Sequence, residues 1–306
     1  MGLVPMNELL HKAQEGRYAV GYFESWDLAS LRAVINAAEE TRSPVIIGFN
    51  GGILTNTKRL LKPENLEYYA AIGKIAAQNT WVPVSFMLNE APTFELAILG
   101  IRLGFNAVMF ECELEDFDEY KSLASQLVNV AHAVGVAVEA NVGQLPTADR
   151  YGLRQRTPSE SLTDPEDARR FVQATDIDIL GVSIGNVEVL MDGKATMNFD
   201  LLKQIKSTVD IPLTLHGGSG IADEDVKKLI ESGLCKMNIG TALNHAFLEG
   251  MKRIQKSGNQ GTSPKYRIGS GLKEDIMAGG EVAMKELVKE KMKVYGSAGK
   301  ADNMFS

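Results

Sequence analysis

Polar side chains that can transfer protons or bind metal ions recur where apolar runs of the chain end. The run 82–88 is followed directly by Asn89 and Glu90, and later runs end near Glu139 and His216. Carboxylates and imidazoles exchange protons and bind cations, whereas amides orient substrates through hydrogen bonds. Each residue alone is typical of a loop or a helix cap. Their recurrence at the ends of successive runs predicts a catalytic site.

Two glycine-rich segments follow the last two apolar runs. Segment 215–221 reads LHGGSGI, and segment 238–241 reads NIGT. Glycines let backbone N–H groups approach an anion closely, and serine and threonine hydroxyls add further donors. Either segment alone is equally consistent with a tight turn. Together they predict a phosphate-binding and substrate-binding site built from Gly217, Gly218, Ser219, Asn238, Gly240 and Thr241.

Eight apolar, β-rich runs must position these residues, and amphipathic helical stretches separate the runs. The runs occupy 19–25, 44–50, 82–88, 107–111, 135–142, 179–185, 211–217 and 235–240. Near-continuous apolar strands that alternate with helices indicate a parallel sheet covered on both faces. Eight such units in 306 residues predict a single (β/α)8 TIM-barrel domain over 1–306. Because the active site of such a barrel lies where its strands end, the polar residues are expected to converge there.

The C-terminal segment adds a helical arm, roughly 270–306, to the predicted barrel. Its sequence GEVAMKELVKEKMKVYGSAGKA reads as a long helix that the barrel itself does not need. We therefore expect this arm to contribute to a homo-oligomer. No dinucleotide-binding fingerprint or Walker loop favours an open sheet instead.

Composition limits the classes of binding partner and the cellular compartments that are expected for this protein. A net charge of -7 argues against a nucleic-acid partner, although an acidic protein can still bind a phosphate through backbone N–H groups. The two cysteines fit a reducing compartment, and no run approaches the length of a membrane span. The N-terminal segment lacks the pattern of a signal peptide. We expect a cytoplasmic protein with no membrane or nucleic-acid partner.

Many collinear segments carry a family resemblance. They include AVGYF, LRAVINAAEETRSPVII, NVAHAVGVAVEA, TDPEDARRFV, DIPLTLHGGSGIADEDVKKLIESGLCKMNIGT and VYGSAGKA. The chain resembles the class II ketose-bisphosphate aldolases, the metal-dependent fructose- and tagatose-bisphosphate group. The resemblance implies a β/α barrel that is dimeric or tetrameric. It also implies reversible aldol cleavage of a phosphorylated ketose, with zinc polarising the carbonyl and stabilising an enediolate.

The chain departs from the family at several site positions. Where the family has an acid/base Asp followed by a zinc-binding His, this chain has Asn89 and Glu90. A second zinc-binding His is replaced by Glu188, and a second Glu after the fifth strand is replaced by Asn141. A phosphate-facing glycine becomes Val189. The retained family positions are Glu139, Gly185, the zinc-binding His216 and Asn238, which in the family helps to position the enediolate.

Glu90, Glu188 and His216 could still bind one divalent metal through two oxygens and a nitrogen. The resemblance implies zinc, while the harder ligand set favours Mn²⁺, Fe²⁺, Co²⁺ or Mg²⁺ relatively more. The alternative is a metal-free cleft, in which nearby carboxylates act as acid and base or form salt bridges. Asn89 cannot accept a proton, so Glu90, Glu139 or Glu188 would have to replace the family's acid/base.

The resulting hypothesis is a divergent class II aldolase-like carbon–carbon lyase that acts on a phosphorylated ketose. Its predicted catalytic residues are Asn89, Glu139, Asn141 and Asn238. Two other hypotheses remain open: an isomerase or epimerase that uses the same enediolate, and a non-catalytic sugar-phosphate-binding protein. A Schiff base at Lys236 and an anion clamp at Arg154 and Arg156 are less favoured alternatives.

Overall fold

A closed barrel of parallel strands forms the centre of the protein, as the sequence predicted. The computed structural model describes residues 2–111, 116–143, 162–187, 194–257 and 263–304. Barrel strands β2–β9 pair in chain order, and a further pair between β9 and β2 completes the ring. A two-residue strand, β1 (Gly2–Leu3), pairs with β4 outside this ring. The strands are β2 (Val20–Ser25), β3 (Val45–Asn50), β4 (Pro83–Ala91), β5 (Ala107–Phe110), β6 (Ala137–Val142), β7 (Ile179–Val182), β8 (Leu213–Leu215) and β9 (Leu234–Ile239).

Helices follow the strands and cover the outside of the barrel. The helices are α1 (Met6–Gly16), α2 (Leu28–Thr41), α3 (Gly51–Thr55), α4 (Leu66–Asn79), α5 (Phe94–Leu103), α6 (Phe117–His132), α7 (Pro165–Thr175), α8 (Phe199–Thr208), α9 (Asp223–Glu231), α10 (Thr241–Lys256), α11 (Pro264–Arg267) and α12 (Ile276–Val294). Local sequence sets several of their starts. Asp27 caps α2 by accepting from Ser30 N, and Ser30 Oγ accepts in return from Asp27 N, which completes a capping box.

The two faces of the barrel strands bury different kinds of side chain. Outward-facing residues such as Phe23, Ile47 and Val138 pack against the helices in one continuous apolar core. Inward-facing residues near the strand starts, such as Ile46 and Ile179, form a second apolar cluster with α1. This cluster lies towards the N-terminal end of the barrel, and the strand-end polar residues Asn89, Glu90 and His216 lie at the other end.

The C-terminal helix α12 packs against the barrel of its own chain. It lies along α10 and α2, and it buries Met284, Val288 and Met292. The predicted helical arm is thus part of the body of the subunit, while its role in an oligomer stays a prediction. No helix within the described ranges is both long and apolar enough to cross a membrane.

Candidate active site

The predicted site residues meet at the C-terminal mouth of the barrel. Asn89 and Glu90 lie near the end of β4, which continues past the apolar run to Ala91. His216 follows β8 directly, and Asn238 lies on β9. Glu139 projects from β6 and is fully buried, as Asn89 and His216 nearly are. Residues from four strands therefore surround one polar region.

Glu90 has an unusual backbone conformation that accompanies its place in the site. Its φ is 49°, in the left-handed region, and the pairing of β4 with β5 shifts register between Leu88 and Ala91. The other non-glycine residues of positive φ in the described ranges all follow helix ends, at Arg17, Arg42 and Asp176. A left-handed residue within a strand costs about 1–2 kcal/mol. Such strain is typical of functional sites, where it aims a side chain.

Two amides hold the Glu90 carboxylate. Asn89 Nδ2 donates to Oε1 at 2.7 Å, and Asn50 Nδ2 donates to Oε2 through a short hydrogen bond. Asn50 also donates to Glu24 Oε2 at 3.3 Å, so one amide bridges two carboxylates. The Glu90 side chain keeps 21% of its surface exposed, whereas Glu139 has none. Glu90 is thus a carboxylate of this network that a ligand entering the mouth could reach.

Asn238 links the two halves of the site. Its Nδ2 lies 3.0 Å from His216 Nε2 and 3.4 Å from Asn89 Oδ1. Its Oδ1 accepts a hydrogen bond from the Lys236 ammonium group. These contacts place Lys236 and Asn238 together inside the barrel. One hydrogen-bonded network therefore runs from Glu90 to Lys236.

Glu139, His216 and Lys236 form a fully enclosed charged cluster. Glu139 Oε1 lies 2.9 Å from His216 Nε2, and Oε2 lies 2.8 Å from Lys236 Nζ. Burial opposes the charged form of His216, but its hydrogen bonds to Glu139 and Glu90 outweigh burial and raise its pKa to about 10. Burial also opposes the charge of Glu139, yet Lys236 and His216 lower the Glu139 pKa. Burial lowers the pKa of Lys236 despite its pairing with Glu139.

The predicted metal site is incomplete within the described ranges. His216 Nδ1 lies 3.8 Å from Glu90 Oε1, and Glu139 orients the ring from the opposite nitrogen, as a supporting carboxylate does in metal sites. The third predicted ligand, Glu188, lies outside the described residues, as do Val189, Arg154 and Arg156. Among the residues described, no three His, Cys, Asp or Glu side chains are arranged to hold a metal ion. Within the described ranges, Glu90 and His216 therefore supply two of the three predicted ligands, and the Glu90 oxygens also accept hydrogen bonds.

The two glycine-rich segments lie side by side next to this network. Gly217 has a φ of 70°, and residues Gly218–Gly220 form a single 3₁₀ turn. Ser219 Oγ accepts from Ala242 N at 3.0 Å, which ties this turn to the first residues of α10. Gly240 precedes Thr241 at the start of α10 and has no side chain to cap the helix; the N–H groups of Leu243 and Asn244 donate to its carbonyl oxygen instead. Gly185 has a φ of 107° in the turn after β7.

Asn141 lies on β6, two strands along the barrel from Glu90 on β4. Its Nδ2 donates to Glu111 Oε1 at 3.1 Å, and its Oδ1 is buried without a hydrogen-bond partner. A Cβ on Gly181 would come within 1.7 Å of that oxygen, so the glycine makes room for the amide. Asn186 holds the backbone of His216 in place, because its Nδ2 donates to the His216 carbonyl oxygen at 3.0 Å.

Three residues belong to the site although the sequence did not single out their roles. Asn50 bridges carboxylates, Lys236 balances the charge of Glu139, and Tyr22 lies within the barrel beside Lys236. Strand alternation could have indicated Tyr22, because it lies two residues before the strand-end Glu24. The surroundings of the Tyr22 hydroxyl depend on packing across strands, which the sequence does not give.

Comparison with known proteins places the whole chain in one family. Residues 4–300 match the family described as fructose-bisphosphate aldolase class-II. The chain belongs to this class II aldolase family. The fructose-bisphosphate aldolase of Geobacillus stearothermophilus is 32% identical over 303 residues, which cover 98% of this chain and 99% of that protein. The sulfofructosephosphate aldolase of Alkalicoccus urumqiensis is 29% identical over the same length and coverage.

A solved aldolase structure supports the same fold. The YdjI aldolase of Escherichia coli K12 superimposes with a TM-score of 0.80 at 30% identity. The match covers 98% of this chain and 100% of that one. The predicted family resemblance and the predicted TIM barrel are therefore confirmed.

Proposed function

We propose that this class II aldolase family member catalyses reversible aldol-type cleavage of a phosphorylated ketose. One observation carries the proposal: the Glu90–Asn89–Asn238–His216 network lies at the barrel mouth beside two tied glycine-rich turns. A proton-transferring carboxylate, amide donors and an anion-binding helix start are the parts that such a reaction needs. Family membership supports the same reaction class.

The phosphate end of the substrate would bind at Gly217–Ser219 and Gly240–Thr241. The start of α10 faces an anion with the positive end of a 16-residue helix. Ser219 Oγ already accepts from Ala242 N, so its own hydroxyl proton remains available to a phosphate oxygen. Gly185 would line the same side.

Glu90 is the proposed proton acceptor. The family's Asp is Asn89 here, and an amide cannot accept the proton. Glu139 is enclosed by His216 and Lys236, whereas Glu90 keeps a partly exposed carboxylate held by Asn50 and Asn89. In cleavage, Glu90 takes the proton of the hydroxyl two carbons from the carbonyl carbon. The bond between the hydroxyl-bearing carbon and the carbon next to the carbonyl then breaks. The hydroxyl-bearing carbon becomes the carbonyl carbon of an aldehyde, and the electrons of the broken bond pass into an enediolate.

Asn238 and the enclosed cations would stabilise the negative charge of the enediolate. The Asn238 amide sits between His216 and Asn89, and Lys236 fixes its orientation through Oδ1. Preorganised dipoles of this kind lower the energy of a developing charge without rearranging during the reaction. The proton that Glu90 accepted is then returned to the enediolate carbon, directly or through water, which completes the step in the cleavage direction.

A bound metal remains a separate part of the proposal. His216 and Glu90 would be two of its ligands, and completion would depend on Glu188. Elemental analysis of protein purified without added metal tests this prediction. One equivalent of a transition metal that is lost in His216→Ala supports a metal centre, and metal-free protein with full activity contradicts it.

A panel of phosphoketoses tests the proposed reaction. Fructose and tagatose bisphosphates and sulfofructose phosphate are incubated with the protein, with and without divalent metals, while aldehyde release is measured. We expect cleavage of at least one of them, and a 10²- to 10⁴-fold lower rate in Glu90→Gln, the range of general-base effects. The control is Glu95→Gln, which removes an exposed carboxylate from α5.

Exchange of substrate hydrogen with solvent and no aldehyde would favour an isomerase or epimerase. Binding without turnover would favour a sugar-phosphate-binding protein.

A further inference from the structure

Tyr22 carries a hydroxyl group that the protein buries but does not pair. The residue is 1% exposed, and its hydroxyl oxygen has no hydrogen-bond partner among the described residues. Buried phenols nearly always find a partner, since an unmet polar group in the interior costs free energy. An unpaired phenol in a barrel interior therefore points to a missing ligand atom.

The strand register places Tyr22 at the level of the candidate active site. Tyr22 is paired in register with Asn238 on the neighbouring strand β9, so its side chain starts at the level of the network. Its ring lies close to Gly48, where a Cβ would be 3.0 Å from Cε2, and beside Lys236 Nζ, 5.4 Å from the ring centroid. The absent side chain at residue 48 makes the space that the ring occupies.

The electrostatic surroundings keep the Tyr22 hydroxyl protonated. Burial raises its pKa well above 10, and the negative charges of Glu24, Glu90 and Glu139 raise it further. The group is thus a neutral donor throughout the ordinary pH range. Asn50, Asn89 and Lys236 already donate to acceptors of the network, whereas the Tyr22 donor has no acceptor in the part of the chain that the structure describes.

The proposed reaction creates a negative charge in this same region. Three carboxylates around the mouth disfavour an enediolate oxygen, so a neutral donor that faces this oxygen would have a large effect. Asn238 supplies one such donor from β9. Tyr22 lies beside it on β2 and can supply a second from the interior side.

We propose that the Tyr22 hydroxyl donates a hydrogen bond to the substrate oxygen that becomes negatively charged, and is a further catalytic residue of this site. The proposal rests on the proposed aldol-type function and adds a residue that the strand-end positions do not include. The hydroxyl keeps its proton and provides the hydrogen bond only. Glu90 remains the base.

Tyr22→Phe tests this assignment because it removes one oxygen and leaves the ring in place. The reaction followed is hydrogen–deuterium exchange at the carbon next to the carbonyl of dihydroxyacetone phosphate in heavy water, by NMR. Ser25→Ala is the matched control: it removes another buried, unpartnered hydroxyl from the same strand. The side chains of residues 22 and 25 point to opposite faces of β2.

We expect exchange to fall 30-fold or more in Tyr22→Phe and to change less than threefold in Ser25→Ala. The melting temperature of Tyr22→Phe should not fall, because the lost hydroxyl had no partner within the protein. Unchanged exchange together with unchanged ligand affinity would overturn the role of Tyr22 and leave the aldolase function standing. A lower melting temperature with normal exchange would show a structural hydroxyl and would also overturn it.

Ligand affinity separates failure of this proposal from failure of the proposed function. If the wild-type protein cleaves no phosphoketose and exchanges no hydrogen, the lyase function fails. The dissociation constant of dihydroxyacetone phosphate, measured by calorimetry, then decides the role of Tyr22. A fivefold or greater weakening in Tyr22→Phe supports the hydrogen bond, and equal affinity or no wild-type binding overturns it.

Discussion

Lys236 and Glu139 form an ion pair inside the barrel, 2.8 Å apart, with both side chains fully buried. Glu139 also binds His216 at 2.9 Å, so this pair sets the position of the imidazole at the mouth. The charge of the site therefore depends on a fully buried ion pair.

Removing one member of this pair should destabilise the protein strongly. Lys236→Met leaves the Glu139 charge without its ammonium partner, and we expect a loss of about 3–5 kcal/mol in the free energy of unfolding. The double variant Lys236→Met/Glu139→Gln should recover part of this loss because both charges of the ion pair are removed. Urea unfolding at neutral pH measures the free energy of unfolding of the single and the double variant. A single-variant loss below about 1 kcal/mol would contradict the enclosed pair.

Ser219→Ala should weaken the binding of phosphorylated ligands. The change removes a hydroxyl donor and the acceptor of Ala242 N, so two supports of the anion site disappear. One lost hydrogen bond of about 1 kcal/mol corresponds to roughly fivefold weaker binding. Calorimetry with inorganic phosphate and with a phosphoketose gives the dissociation constants. Ser207→Ala, at the exposed end of α8, is the control. Equal weakening in both variants would argue against a phosphate site at Ser219.

Gly250→Ala should destabilise the crossing of α10 and α12. A Cβ on Gly250 would lie 2.2 Å from the Gly279 carbonyl oxygen and 2.7 Å from Ala283 Cβ, so the helices must separate. Overpacking of this kind costs about 1–3 kcal/mol. Gly52→Ala, in helix α3, is the matched control. A Cβ on Gly52 would have its nearest contact at 3.4 Å, with Asn50 Oδ1. Thermal unfolding compares the two. A melting temperature of Gly250→Ala equal to that of the control would rule out a tight crossing.

The pH dependence of stability should include a contribution from Asp275, which caps α12. Burial opposes its charge, but backbone hydrogen bonds from residues such as Gly271 and Met277 outweigh burial and lower its pKa. A lowered pKa stabilises the fold above the unfolded value of about 3.9, and the contribution disappears as pH falls through the folded value. Asp275→Asn should therefore be less stable than wild type at pH 7, and the difference should shrink towards pH 3. Urea unfolding at both pH values tests this, and a difference that grows in acid would contradict it.

The barrel could be predicted from the sequence because its strands are buried on both faces. All eight predicted strands are present, since continuous apolar runs are the direct consequence of that burial. The strand ends also placed Asn89, Glu90, His216 and Asn238 at one mouth, because parallel strands of a closed barrel all end on the same side. The glycine-rich turns after the last two strands followed from local residue preferences.

The contacts within the mouth were decided only by the tertiary structure. Strand alternation gives the face of a residue, yet it does not show that Asn50 bridges Glu24 and Glu90 or that Glu139 pairs with Lys236. Such partners lie up to about a hundred residues apart, and their distances depend on barrel closure and on side-chain rotamers. The left-handed backbone of Glu90 and the unpaired Tyr22 hydroxyl arise in the same way. Residue types and periodicity thus determined which groups reach the mouth, and packing across strands determined which of them meet.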